Sequence, residues 1–320
     1  MVETKIKDKI KNFKLPAVFP IIITYIVLFV LISIFSPNFL TARNLLNVGQ
    51  FSAMMGVAAT GMTLAIICGG LDISIGAIMG LTCMIIAKTI PESGYAIMFI
   101  LFGIVIGMAC GSVNGLAVTV GKINPLIATL ATMSIYRGFA YISNNGISVP
   151  IVNVDFGILG RGYIGNIPVS LVVMVFIFIF FGIVMKYTAF GREIYSIGGN
   201  SKASHLAGIN VKLKRFFVYV ICGGTAGLAG TILASQVGAG VANGGTGYEL
   251  DVIAAVILGG TSLAGGKGTI LGSLFGVLIL VTTNNGMNLL GIQSFWQMVA
   301  KGVILLLAVV LDVIRGGGYE

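Results

Sequence analysis

Ten apolar stretches, separated by short charged or turn-forming segments, fill most of this chain, so a lipid bilayer is the solvent it must fold in. They cover residues 17–35, 45–68, 75–90, 95–120, 125–142, 169–185, 216–236, 252–263, 269–283 and 295–311. A helix needs about 20 apolar residues to cross the hydrocarbon core, and in lipid every backbone polar group must find its partner within the protein. The expected fold class is an all-α integral membrane protein, a polytopic bundle of about ten transmembrane helices. The stretch from 252 is the weakest, because Gly259-Gly260 and Gly265-Gly266 interrupt it. Such an interruption predicts a broken or partly re-entrant helix, tolerated where protein or a water-filled cavity receives the freed backbone groups. With 57% hydrophobic and 9% charged residues, the chain is far from the roughly 25% charge of soluble globular domains.

Charge placement orients the bundle. With the N-terminus inside, the inner segments hold Lys5, Lys7, Lys9, Lys11, Lys14, Lys122, Lys186, Arg192, Lys202, Lys212, Lys214, Arg215, Lys267 and Arg315, which is 14 of the 19 basic residues. The outer loops hold Arg43 and Arg161 and the acids Glu92, Asp155, Glu249 and Asp251, with Lys88 near an outer end. Positively charged loops stay on the cytoplasmic side, so both termini are expected there. The predicted organisation is a basic cytoplasmic tail 1–16, one transmembrane domain 17–315 with a cytoplasmic loop 187–215, and a short tail 316–320. The net charge of +9 is confined to tails and loops and does not point to nucleic acid. The first apolar run exceeds the about 7–15 residues of a signal-peptide core and ends in Ser36-Pro37-Asn38, which reads as a retained span.

Glycine usage predicts close helix packing. Gly103, Gly107, Gly111 and Gly115 recur every fourth residue and leave one helix face without side chains, either for a neighbour in the same chain or for a dimer seam. The segment AIICGGLDISIGAIMGLTCMII from Ala65 also resembles AVILGGTSLAGGKGTILGSLFGVLIL from Ala255, each an apolar run, a Gly-Gly break and a second glycine-bearing run. Paired interruptions of this kind point to a duplicated transport core with its pathway near the breaks.

Sites of chemistry are scarce. Cys68, Cys83, Cys110 and Cys222 lie in apolar runs without CxxC spacing, which fits small core residues and no metal site. The GxGxxG match at 160–165 falls in a predicted loop, and Gly265-Gly266-Lys267-Gly268 lacks the spacing and hydroxyl of a phosphate loop. No catalytic set is expected. Polar residues in or near the spans are the functional candidates: Asp72, Asn124, Arg137, Asn284, Asn285, Gln297 and Lys301. A charge at the bilayer centre costs about 2.5–3.5 kcal/mol on insertion scales and usually faces a cavity or partner. Each has a bland alternative: Lys301 snorkelling outward beside Trp296, Arg137 reaching an interface, Asn284-Asn285 ending a helix. Few acids accompany them, which suits a neutral, hydroxyl-rich cargo better than an ion.

One polar island remains, GREIYSIGGNSKASHLAGINVKLKR at 191–215. It has five cationic residues and a single acid, Glu193, and Gly199-Asn200 marks a chain turn before a short helix. His205, the only histidine, stands on it, where a solvated or partner-contacting role outweighs catalysis. The loop is built to touch another protein.

The blocks GGLDISIG at 69–76, GREIYSIGGNSKASHLAGI at 191–209 and GTGYELDVIAAVILGGTSLAGGKGTILG at 245–272, in this order and spacing, resemble the membrane subunits of bacterial ABC importers for ribose, galactose and related monosaccharides. The resemblance extends over nearly the whole chain. It implies a homodimeric permease in the bacterial inner membrane, with a fused double-domain ABC ATPase on its cytoplasmic face and an extracytoplasmic binding protein delivering the sugar. It also implies that ATP and Mg are held by the ATPase, with no cofactor in this chain. The 191–209 block matches the coupling helix of the family, with Gly199, Asn200, Ala203, His205 and Gly208 in the coupling loop. The 245–312 region looks more like ribose permeases than galactose ones, so ribose is the expected substrate, ahead of galactose, another simple sugar or a nucleoside. The rival classes are an ion-coupled secondary transporter and, more weakly, a membrane-embedded enzyme.

Overall fold

The structure, a computed structural model, describes residues 18–91 and 96–316; the basic tail 1–16, Glu92 and residues 317–320 lie outside the described residues. Within them are thirteen helices: α1 Phe19–Phe35, α2 Ala42–Ile67, α3 Ile75–Thr89, α4 Ala96–Thr119, α5 Pro125–Ile142, α6 Val154–Arg161, α7 Val169–Tyr187, α8 Ala189–Gly199, α9 Ser201–Leu206, α10 Val211–Val237, α11 Tyr248–Leu258, α12 Ile270–Leu289 and α13 Ser294–Gly316. Extended structure among the described residues amounts to two short antiparallel ladders. In one, β1 Val149–Pro150 pairs with β4 Ala239–Gly240, and in the other, β2 Tyr163–Ile164 pairs with β3 Ile167–Pro168.

Six helices, α2, α4, α7, α10, α12 and α13, are long and apolar enough to cross a membrane. The multi-pass helical class follows from these six. The other four expected spans correspond to α1 and α3, which are apolar but of 17 and 15 residues, to α5, and to α11, which has only 11.

At the centre stand α2, α3 and α10. Every residue from 52 to 67 on α2 and from 222 to 232 on α10 is buried. Both helices carry small and apolar residues around their whole circumference, the pattern of a helix enclosed on all sides. The glycine ladder of α4 explains how a third helix approaches them. A Cβ on Gly107 would fall on the Gly223 carbonyl, and one on Gly111 would fall on the Tyr219 carbonyl. In return, Cβ atoms on Gly223 and Gly227 would fall on the carbonyls of Gly107 and Gly103. The ladder is thus spent on α10 of the same chain, where backbones pack without intervening side chains.

The two Gly-Gly breaks share one local design. At the end of α2, Gly69 takes φ +76°, and the amides of Cys68, Gly69 and Gly70 donate to Leu64, Ile66 and Ala65. At the end of α11, Gly260 takes φ +83°, and Gly259, Gly260 and Thr261 donate to Ala255, Ile257 and Val256 with the same offsets. Both are Schellman closures with a left-handed glycine after the last turn. They align Gly69 with Gly260, one residue away from the register that sequence similarity suggests.

Between α10 and α11 the chain departs from the sequence expectation. Residues 240–245 do not form an outer loop but run antiparallel to α3: a Cβ on Gly240 would lie against Cys83, Met84 and Ala87, and one on Gly245 against Gly76 and Met79. The Arg137 guanidinium secures this re-entrant segment by donating to the carbonyls of Ala242 at 2.9 Å and Gly244 at 2.7 Å. Glu249 and Asp251, expected in the loop, therefore sit in the first turn of α11, inside the bundle. A segment without regular structure persists at such depth only where protein satisfies its backbone, and Arg137 supplies two of the donors.

Candidate functional site

The polar island folds as a helical hairpin, α8 and α9, between α7 and α10. Thr188 caps α8 by accepting from the Gly191 amide, and Asn200 caps α9 by accepting from the Ala203 amide at 2.9 Å. The Ser204 hydroxyl donates to the Asn200 carbonyl and lies 2.8 Å from the Ser196 hydroxyl, binding the two helices together. Gly208, at φ +85°, ends α9 in the left-handed conformation. Lys214 at the start of α10 pairs with Glu193 of α8 at 2.6 Å and lies 5.6 Å from the Phe190 ring. The outward face of α9 carries Lys202, Ala203, His205 and Leu206, all exposed, with Leu206 at 88%.

The inward face of the hairpin meets both breaks at one point. The end of α8 is wedged there: a Cβ on Gly198 would fall on the Ile67 carbonyl and beside the Gly266 amide. That amide donates to Ile67 at 2.8 Å, and the Tyr195 hydroxyl donates to Gly268 at 2.8 Å. Burial raises the Tyr195 phenol above its ordinary range, which keeps it a donor. A Cβ on Gly265 would touch both Gly198 and Gly69. The contact between hairpin and breaks is thus almost wholly backbone on backbone, at the end of α2 and at the 265–268 loop that joins α11 to α12. Gly199 is different. A Cβ there meets nothing within 4 Å, so its smallness is not used inside the chain.

The polar candidates divide into two groups. Asn124 caps α5 by accepting from the Leu126 amide, and Arg137 clamps the re-entrant segment, so both have local work in the fold. Asp72, fully buried beside the first break, accepts from the Ser74 amide at 3.0 Å and hydroxyl at 2.6 Å, and from the Asn114 amide at 3.1–3.2 Å. Tyr136 in turn donates to Asn114 at 3.1 Å. Asp72 thus joins α3, α4 and α5.

Asn284, Asn285 and Lys301 come together. They line one cavity of about 180 Å³ between α2, α11, α12 and α13, with Tyr248, Asp251 and Asn288. Lys301 does not snorkel beside Trp296: its ammonium pairs with Asp251 at 2.6 Å. Asn284 and Asn285 precede the end of α12, and Asn285 exchanges two hydrogen bonds of 2.8 and 3.0 Å with Asn44 of α2. Gln297 lies at the rim, donating to Asn288 at 2.7 Å. Sequence reasoning missed Gly198, Asn114, Asp251 and Asn288. The signal for Asp251 and Lys301 was an acid and a base inside adjacent apolar segments, each of which needs a counter-charge.

Comparison with known proteins agrees with this architecture. Residues 44–309 match the family model described as the branched-chain amino acid transport system / permease component. The chain is 44% identical to the ribose import permease protein of Bacillus subtilis (strain 168), over 89% of each chain. It is 41% identical to the ribose import permease protein of Escherichia coli (strain K12), over 91% of this chain and 92% of the other. It is 39% identical to the L-arabinose transport system permease protein of Escherichia coli (strain K12), over 91% and 89%. No solved structure matches it. With most of its length matched by the family model and nine-tenths shared with these relatives, the chain belongs to this family of transport-system permeases.

Proposed function

We propose that this chain is the membrane permease of an ATP-driven importer that passes a neutral monosaccharide, foremost ribose, into the cytoplasm. The observation that carries the reading is 41–44% identity to ribose import permeases along nine-tenths of the chain. The α8–α9 hairpin supports it: a capped, rigid element with an exposed apolar and cationic outer face, whose inner face rests on the ends of two interrupted helices. In this reading the hairpin end of the bundle is cytoplasmic and Gly199, Asn200, Ala203, His205 and Gly208 belong to the surface on which a fused double-domain ATPase docks. Two permease copies would flank the pathway, and an extracytoplasmic binding protein would deliver sugar at the opposite end. ATP and Mg belong to the ATPase, and the permease has no catalysis of its own.

Transport follows from the junction. Closure of the ATPase on ATP displaces the hairpin, and Gly198 and Tyr195 pass that displacement to Ile67 and to the 265–268 loop. The bundle then alternates between two openings. Asn284, Asn285 and Lys301 are the candidates facing the moving solute. The arabinose relative, at 39% identity, favours a second pentose as the alternative cargo. The test is competition in proteoliposomes holding the permease, its ATPase and binding protein. Labelled ribose accumulates, and unlabelled ribose displaces it better than arabinose or galactose. Preferential accumulation of another sugar overturns the substrate and leaves the importer standing.

A further inference from the structure

We infer that the cavity between α2, α11, α12 and α13 is a binding site for a single neutral polyhydroxylated solute, with the Asp251–Lys301 pair as its floor. This rests on the importer reading and adds to it a defined place of recognition inside the permease. Three observations lead to it. First, the site is amphipathic, with Val48, Phe51, Met55 and Val281 on its apolar side and a cluster of polar groups facing them. Tyr248, Asp251, Asn284, Asn285, Asn288 and Lys301 converge on it, although the spans around them are strongly hydrophobic. Second, the ion pair is not sealed. The Lys301 side chain remains 34% exposed and that of Asp251 16%, while Lys301 lies seven residues into α13, about 10 Å along the helix from Ser294. A partly exposed ammonium at that depth is stable against water or a polar solute and costly against hydrocarbon. Third, a volume of about 180 Å³ is that of a small-molecule site, so it suits one small solute.

The chemistry selects hydroxyls over charge. Asp251 and Lys301 neutralise each other, so a charged ligand would bring a counter-charge problem into a site that has no spare ion to solve it. Neighbouring hydroxyls can donate to the carboxylate and accept from the ammonium, while the carboxamides of Asn284 and Asn288 offer both functions to the remaining oxygens. The position of Asp251 in the first turn of α11 joins the site to the second break, because α11 ends at Gly259-Gly260. A movement of the hairpin against that break therefore reaches the site through one 11-residue helix.

The experiment uses the complete importer, with ATPase and binding protein, in proteoliposomes. Wild-type complex must first show ATP-dependent ribose uptake; its absence counts against the importer reading itself. With that in hand, Asn288→Leu is expected to lower ribose uptake about tenfold, roughly the loss of one or two solute hydrogen bonds. Stimulation of the ATPase by loaded binding protein is expected to persist. A second variant, Asn288→Cys in a background with Cys68, Cys83, Cys110 and Cys222 replaced, reads occupancy without depending on turnover. Its reaction with a small polar thiol reagent is expected to slow with excess ribose and not with excess ribose 5-phosphate. Normal uptake by Asn288→Leu, or labelling of the Asn288→Cys variant that ribose leaves unchanged, overturns the site while the importer stands. Complete protection by reconstitution into lipid alone assigns the cavity to lipid and overturns it equally.

Discussion

The amide of Gly266 donates to the carbonyl of Ile67 across 2.8 Å, so the loop after one broken helix is tied to the last turn of the other. Gly198 of α8 is pressed into that bond, with no room for a Cβ. Gly198→Val forces apart backbone that cannot yield, and overpacking of this kind costs about 1–3 kcal/mol. The expected result is a lower Tm together with ATP hydrolysis no longer matched by uptake. Gly199→Ala, one residue on, is expected to leave Tm unchanged because its Cβ meets nothing. Equal Tm values for the two variants, measured by thermal denaturation in detergent, would remove the junction from the account.

The hairpin offers a second separation of fold from docking. Asn200→Ala removes the α9 cap and is expected to destabilise the hairpin by about 1 kcal/mol. Leu206 is 88% exposed, so Leu206→Ser should leave the permease folded while weakening ATPase retention. Co-purification of the ATPase with tagged permease measures this. Full retention by Leu206→Ser would show that α9 presents its apolar residue to something else.

The contact of α4 with α10 depends on absent side chains. Gly107→Val is expected to separate the helices and reduce thermal stability, whereas Gly138→Ala and Gly182→Ala, at positions where a Cβ meets nothing within 4 Å, should be silent. Thermal denaturation of the three purified variants distinguishes close packing from a general intolerance of substitution in the spans.

Asp72 makes a prediction about polar burial. Asn114→Leu withdraws the donor that reaches both oxygens of a fully buried carboxylate; Oδ1 keeps the Ser74 amide and hydroxyl, while Oδ2 is left without a partner, at about 1–3 kcal/mol. Asp72→Leu combined with Asn114→Leu removes both members and should lose less stability than the sum of the single changes. Additive losses in a double-mutant cycle would mean that the two side chains are not coupled.

What the sequence disclosed and what it hid follow from the range of the interactions. The turn at Gly199-Asn200, the closure at each Gly-Gly break and the packing role of the 103–115 ladder depend on neighbours within a few residues or on one helical period, and all were legible. The re-entrant run 240–245 was not, because its depth is set by Arg137, a hundred residues earlier in the chain, and by the glycine face of α3. Asp251 was misplaced for the same reason: an acid after an apolar span reads as a loop until its partner, Lys301, is brought beside it. Asn124, read as a pathway residue, is a helix cap, a role that its place before Pro125 already signals. The one-residue shift between the two breaks shows that a glycine doublet fixes the turn only once the left-handed position is known.

The most direct test of the account is the source of energy for ribose uptake. Proteoliposomes containing the permease with its ATPase and binding protein should accumulate labelled ribose when ATP and Mg are supplied to the side of the membrane that carries the α8–α9 hairpin. Vesicles containing the permease alone should not accumulate it under any imposed proton or sodium gradient. Gradient-driven accumulation by the permease alone would contradict the account and make the chain a secondary transporter.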